Sequence, residues 1–362
     1  MPVTDAFKRF TRVEFAPPRY LAPPAAGIDI SASGIKLAVV AERTHGLELV
    51  DFGEGRLELG AMNGGEIADR AAVIGTIRAL MKEHRIHSAN IALSESRSYL
   101  FEADVEGADK REWRTAVEQR IDELVPLPPA ETIFDITPTG TKGDLTHVVG
   151  VGYASRVIRD SLLALDEAGI EATAVESETF SLPRALLPAE NDEAVLIIDI
   201  GRTTTKLVIV EKRVPLFATT LDIGGHALTQ AVVKYFGVSE EEAKRVKAER
   251  GLMGGPDNEE YLAAMLTTVS VIREEISRRV DFWQARAEEA GHRSVSRAVL
   301  VGGNATVRGL AEYLENNLHI PVALGDVFLN LASRDHWLPP IDYMESLAYG
   351  TAIGLALRKY AS

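Results

Sequence analysis

The chain has 362 residues, 46% hydrophobic and 25% charged, the composition of a globular protein long enough for two or three domains. Its 39 basic and 53 acidic residues leave a formal charge of −14, which argues against a general nucleic-acid binder, and zero cysteines remove disulfides, thiolate metal sites and cysteine nucleophiles. No uncharged apolar run approaches the roughly 18 to 20 residues that span a bilayer.

Residues 1–26 hold no apolar segment of the secretory type, so a cytoplasmic location is expected. The pairs Pro17–Pro18 and Pro23–Pro24 stop regular structure there, and the segment reads as an arm before a domain that starts near Gly27. Phe7, Phe10 and Val13 stand at helical spacing beside Lys8, Arg9 and Arg12; the arm reads either as a short amphipathic helix or as an irregular tail. From Gly27, GIDISASGIKLAVVAE and GLELVDFGEG read as a hairpin, ADRAAVIGTIRALMKEH as an amphipathic helix with Ala72, Ile74, Ile77 and Leu80 among its apolar positions, and ANIALS as a strand. Residues 101–172 break this rhythm with two strands and the helices EWRTAVEQRIDELVP and VIRDSLLALDEAG, an inserted α+β module. The pattern restarts at AVLIIDIGRTTTKLVIVEK. Residues 235–296 form a second, mostly helical insertion around SEEEAKRVKAERG, and the apolar final helix YMESLAYGTAIGLALRK reads as core rather than membrane anchor.

One repeat carries the argument. Asp29-Ile-Ser-Ala-Ser-Gly-Ile-Lys36 and Asp199-Ile-Gly-Arg-Thr-Thr-Thr-Lys206 share an apolar strand ending in Asp, a tight turn of small or hydroxyl residues, and a second strand that starts at Lys. A duplicated domain follows. Backbone N–H groups and hydroxyls in such a turn cradle phosphate oxygens, and an Asp at the strand end holds hydrated Mg²⁺. Leu300-Val-Gly302-Gly303-Asn304 and Asp222-Ile-Gly224-Gly225-His226 are further strand-to-helix turns where a nucleotide can approach the backbone. Lys36 and, more so, Lys206 also fit solvent-facing strand positions, and Glu242 fits a solvated helix face. The eight histidines show no metal-ligand spacing, so none is assigned a metal.

These elements, with AVESETFSLPRAL and VLVGGNATVRGLAEYLENNLHIPVALGDVF, resemble the actin/Hsp70/sugar-kinase ATPase superfamily over nearly the whole chain from Gly27 to Lys359. Within it the chain is most similar to the FtsA-like PilM family of type IV pilus assembly proteins. The resemblance implies an α/β, duplicated actin-like fold of two RNase H-like domains with an interdomain nucleotide cleft and an FtsA/PilM-type 1C insertion. It divides the chain into subdomain 1A at 27–100 and 173–193, 1C at 101–172, 2A at 194–234 and 297–362, and 2B at 235–296.

For ATP and Mg²⁺ the resemblance implies a first phosphate turn of Asp29, Ser31 and Ser33, with Lys36 reaching a phosphate, and a second of Asp199, Gly201, Thr203 and Thr204. Asp29 and Asp199 hold Mg²⁺ through water. Gly302 and Gly303 line adenosine, Gly224 and Gly225 the ribose-phosphate edge, and Glu242 and Lys247 flank the base or ribose. Glu178 matches the polar position near the attacking water. The family usually has Gly where this chain has Ser31, so a Cβ is expected there to crowd phosphate or deny the turn a positive φ, and Arg202 adds bulk or a phosphate partner.

The implied function is a cytoplasmic ATP-binding scaffold, peripheral to the inner membrane through a partner. That partner is the N-terminal peptide of a PilN-type bitopic membrane protein, bound between 1A and 1C; pilus motor ATPases and self-association are further expected contacts, nucleic acid and a membrane span are not. Alternatives are an active or polymerising FtsA/MreB-like ATPase and the GspL-like scaffold of a type II secretion system. A sugar or acetate kinase needs a base, for which only Glu178 and Asp222 stand in place.

Overall fold

The computed structural model describes residues 25–253 and 258–361, so the arm lies outside the described residues up to position 24. The domain expected from Gly27 begins with β1 (Ala25–Ser31), which with β2 (Gly34–Arg43) and β3 (Gly46–Gly55) makes an antiparallel meander. A two-stranded flap, β4 (Met62–Asn63) and β5 (Glu66–Ile67), leads to helix α1 (Arg70–Glu83). The Asp69 carboxylate caps α1 by accepting from the Ala72 N–H, and Val73, Ile74, Ile77, Leu80 and Met81 bury one face of it. Strand β6 (Ser88–Leu93) then lies parallel to β1.

The insertion is an antiparallel sheet in the order β7-β9-β8, built from β7 (Ser98–Val105), β8 (Thr132–Lys142) and β9 (Leu145–Ala154). Helices α2 (Lys110–Glu118) and α3 (Ile121–Leu124) cover one face, where Phe101, Val117, Ile121 and Phe134 form a core of their own. The next helix, α4 (Ser155–Ala168), does not belong to that core. Its Ala164, Leu165 and Ala168 pack with Ile77 and Ile91 of the first sheet. The apolar stripe of α4 thus faces α1 and the first sheet, while Val157 at its start packs on Tyr153 of β9. Strand β10 (Glu171–Ser177) returns parallel to β6, and α5 (Glu178–Leu186) closes the first half.

The second half repeats the plan with β11 (Ala194–Ile200), β12 (Thr205–Glu211), β13 (Val214–Leu221) and α6 (Gly225–Phe236). After the charged α7 (Glu240–Arg250) comes the 32-residue α8 (Glu259–Ala290). Met265, Val269, Ile272, Ile276 and Val280 recur along α8 at helical spacing and share one core with the second sheet, so the 235–296 region is packed onto that sheet rather than around a core of its own. β14 (Val295–Val301), α9 (Leu310–Leu318), β15 (Val322–Leu324), α10 (Tyr343–Ser346) and α11 (Gly350–Leu357) complete the chain.

Both halves hold a five-stranded sheet of one order: β10-β6-β1-β2-β3 matches β15-β14-β11-β12-β13 strand for strand, with the three-stranded meander antiparallel and the other two strands parallel to its first strand. The central strands are continuous apolar runs because both faces are covered; Val195, Leu196, Ile197 and Ile198 are fully buried.

The closing helices tie the halves together. Leu182 and Ala185 of α5 lie in the second-half core, whereas the Leu355 carbonyl of α11 accepts from Asn90 Nδ2 of β6 at 2.8 Å. The two helices touch where Gly354 meets α5: a Cβ there would stand 2.0 Å from the Ser181 carbonyl oxygen. Arg184 grips both sides, bidentate on Glu176 at 2.6 and 3.0 Å and donating to the Gly354 carbonyl at 2.7 Å. The final helix is wholly buried, as its apolar sequence implies.

Candidate functional site

The repeated hairpins place like residues alike. Asp29 pairs with Lys36 across β1 and β2, and Asp199 pairs with Lys206 across β11 and β12. Directly opposed residues on neighbouring strands project from the same face, so each hairpin offers a carboxylate and an ammonium side by side. Both face a cleft of about 510 Å³ between the halves.

Lys206 is the hub of this cleft. Its Nζ lies 2.5 Å from Glu178 Oε2 and 3.7 Å from Asp199 Oδ2, with the Lys206 and Glu178 side chains only 13% and 3% exposed. Burial disfavours the ammonium, but Glu178, Asp199 and Asp29 around it outweigh that cost and hold Lys206 charged. Glu178 accepts on its other oxygen from the Glu95 N–H at 2.6 Å. Burial pushes the Asp29 carboxyl up to about 6 against the pull of Lys206 and Lys36. Burial likewise pushes Glu95 up to about 7, although Thr220 of the second half donates to it.

The turn tips meet across the cleft. The Arg202 N–H donates to Ser33 Oγ at 3.2 Å, and the Arg202 guanidinium donates to the Leu57 carbonyl at 3.2 Å. In the first turn Ser31 Oγ accepts from the Ser33 N–H at 3.3 Å and donates to the Gly34 carbonyl at 3.2 Å. The expectation that a side chain at Ser31 denies the turn a left-handed residue is corrected: Gly34 takes that conformation, with φ +137°, and Ser31 has no positive φ.

Asp29, Ser31, Ser33, Lys36, Glu178, Asp199, Gly201, Thr203, Thr204, Gly302 and Gly303 all line this cleft. Gly224, Gly225, Glu242 and Lys247 do not. Gly225 donates its N–H to the Gly201 carbonyl at 3.0 Å, and Lys247 donates to the Gly225 carbonyl at 3.1 Å and to Asn304 Oδ1 at 2.8 Å. Asn304 in turn donates to the Gly201 carbonyl at 2.9 Å, so these residues brace the second turn from behind. Burial there pushes the Lys247 ammonium down to about 8. Glu242 lies on the exposed face of α7, 3.6 Å from Arg245, because its helix turns only Ala243 and Lys247 inward. Lys206, read as the more solvent-facing of the two lysines, is half-buried with its ammonium held against Glu178, while Lys36 is buried; the signal for Lys206 was its place seven residues after Asp199, matching Lys36 after Asp29.

The lining suits a nucleotide: hydroxyl-bearing turns from both halves, two carboxylates at equivalent strand ends, and the Gly302–Gly303 backbone at the cleft wall.

Two halves of one strand order, joined by crossed helices over a polar cleft, define an actin-like fold. The chain belongs to the family of type IV pilus assembly protein PilM, whose sequence model matches residues 27–360. A chain of the PilM-PilN type IV pilus biogenesis complex is 23% identical, with TM-score 0.76 over 93% of this chain and 99% of that one. The ethanolamine utilization protein EutJ from Carboxydothermus hydrogenoformans is 15% identical, with TM-score 0.56 over 96% of this chain and 94% of that one. MreB5 of Spiroplasma citri bound to ADP is 14% identical, with TM-score 0.55 over 95% and 98%. No helix among the described residues is long and apolar enough to cross a membrane.

Proposed function

We propose that this PilM-family protein is an ATP-binding scaffold of the type IV pilus inner-membrane platform, holding the N-terminal cytoplasmic peptide of a PilN-type bitopic membrane protein. The paired Asp–Lys hairpins facing one cleft carry the nucleotide reading. The turns at Ser31 and Ser33 and at Thr203 and Thr204 hold phosphate, Asp29 and Asp199 hold hydrated Mg²⁺, and Gly302 and Gly303 border the nucleoside. Bound Mg²⁺ neutralises the phosphate charge. Both oxygens of Glu178 are engaged, by Lys206 and by the Glu95 N–H, which supports a ligand-like role for nucleotide with slow or absent hydrolysis. Nucleotide shifts the two halves only as far as its affinities for their arrangements differ.

The complex named above supports the partner assignment, which also brings this protein to the membrane surface. We place the peptide at a groove of about 340 Å³ between the β4–β5 flap and α4, the helix that follows the inserted sheet, lined by Ile67, Val157 and Leu163 among charged residues. The test is fluorescence anisotropy of the labelled N-terminal peptide of a PilN-type partner, with and without Mg·ATP. Saturable binding that falls at least tenfold in Leu163→Glu supports the reading; no binding by the parent protein overturns the partner assignment, and undiminished binding by the variant overturns the groove.

A further inference from the structure

We propose that Glu102, His147 and His292 form a zinc site that ties the inserted sheet to the second half of the molecule. Glu102 lies on β7 and His147 on β9, where Asp104 pairs with His147 and Glu102 with Val149. The period of two along each strand puts Glu102, Asp104 and His147 on one face of the sheet. That face meets the second half, where His292 sits in the loop between α8 and β14.

The three ligand atoms converge. His147 Nε2 and His292 Nε2 stand 3.0 and 2.9 Å from the same oxygen, Glu102 Oε2, and all three atoms lie within 4.8 Å of one another. Behind each imidazole is another carboxylate: His147 Nδ1 is 2.6 Å from Asp104 Oδ1, and His292 Nδ1 is 3.6 Å from Glu211 Oε2. An imidazole that donates through Nδ1 presents a lone pair at Nε2. With Asp104 holding His147 in that tautomer and His292 Nδ1 turned toward Glu211, two Nε2 atoms and a carboxylate oxygen point at one spot, an arrangement that a cation between them satisfies. Carboxylates behind ligating histidines fix the tautomer and orient the ring, which is the outer arrangement of metal sites. The ring of Trp283 stacks on His292 at 5.3 Å, and its Nε1 donates to the Arg293 carbonyl at 3.0 Å, so the second-half ligand is held from behind.

Two imidazoles and one carboxylate with no thiolate suit Zn²⁺, with water as fourth ligand. Ligands about 2.0–2.1 Å from a tetrahedral ion stand about 3.3 Å apart, close to the separations of both imidazoles from Glu102. The His147 and His292 side chains are 29% and 12% exposed, so an ion enters from solvent without unfolding. Because Glu102 and His147 belong to the insertion and His292 to the second half, the ion restrains movement between them.

The test is calorimetric titration of chelator-stripped full-length protein with zinc chloride. One ion per chain is expected, with affinity reduced at least tenfold in Glu102→Gln and in His292→Gln. A double variant of the exposed, stacked pair His45→Gln and His336→Gln keeps the parent affinity. Circular dichroism verifies that each variant is folded, and Glu102→Gln stands alone if His292→Gln is not. No saturable binding, the result expected if the imidazoles are satisfied by protons, overturns the proposal. So does binding that survives Glu102→Gln or is lost with His45 and His336.

Discussion

Replacing Lys206 with methionine removes the ammonium that touches Glu178 while keeping the length of the side chain. Lys206 lies 2.5 Å from Glu178 and 3.7 Å from Asp199, and Asp29 acts on it through the same buried space. The variant leaves three carboxylates converging with their central cation gone. Removing one partner of a buried pair costs about 3–5 kcal/mol; the cleft admits water, which places the loss near 3 kcal/mol. At about 2–4 °C per kcal/mol, the apparent melting midpoint falls by roughly 6–12 °C at pH 7.5. The loss shrinks at pH 5, below the pKa of about 6 to which burial raises Asp29, because protonating that carboxyl removes one of the opposed charges. Thermal melts followed by circular dichroism at the two pH values read both effects. A variant within about 2 °C of the parent at both refutes the reasoning.

Glu95 supplies a pH prediction of the opposite kind: its folded-state pKa, raised from 4.5 to about 7 chiefly by burial, means that the fold favours the neutral acid. Below about 4.5 both states are protonated and nothing is lost; above about 7 the ionised group costs at most about 3 kcal/mol. Glu95→Gln is therefore expected to be more stable than the parent at pH 8 and equal to it near pH 4.5, a difference read by denaturant melts; a constant difference sinks the claim. At the helix crossing, Gly354→Ala drives a methyl to 2.0 Å from the Ser181 carbonyl and is expected to destabilise by about 1–3 kcal/mol. Gly75→Ala on α1, where a Cβ meets nothing within 4 Å, is expected to stabilise by about 0.5–1 kcal/mol. Urea midpoints moving the same way for both glycines would contradict the packing of α5 on α11.

The duplicated fold was legible because the strands carrying Asp29 and Asp199 are buried on both faces, which leaves continuous apolar runs ending in the same polar turn. Residues within those turns lie in the cleft for the same reason: local sequence sets their geometry. What local sequence does not set depends on packing between distant segments. The apolar stripe of α4 is compatible with either neighbouring core, and only its contact with α1 assigns it to the first half. Lys247 and Gly225 stand beneath the second turn, Gly225 bonded directly to Gly201 and Lys247 to Gly225 and Asn304. Lys206 looks like any lysine starting a strand until α5, crossing from the other half, brings Glu178 against it. The histidines gave no motif because His147 and His292 come from separate elements, far apart in sequence, and are brought together at Glu102 by the fold.

The central claim is that the facing hairpins bind nucleotide, and calorimetric titration of the full chain with Mg·ATP, beside Asp199→Asn, tests it most directly. The account predicts saturable binding by the parent, weakened in the variant by about 1–3 kcal/mol, the scale of a lost charged contact. No binding by the parent, or equal affinity in the variant, would contradict it.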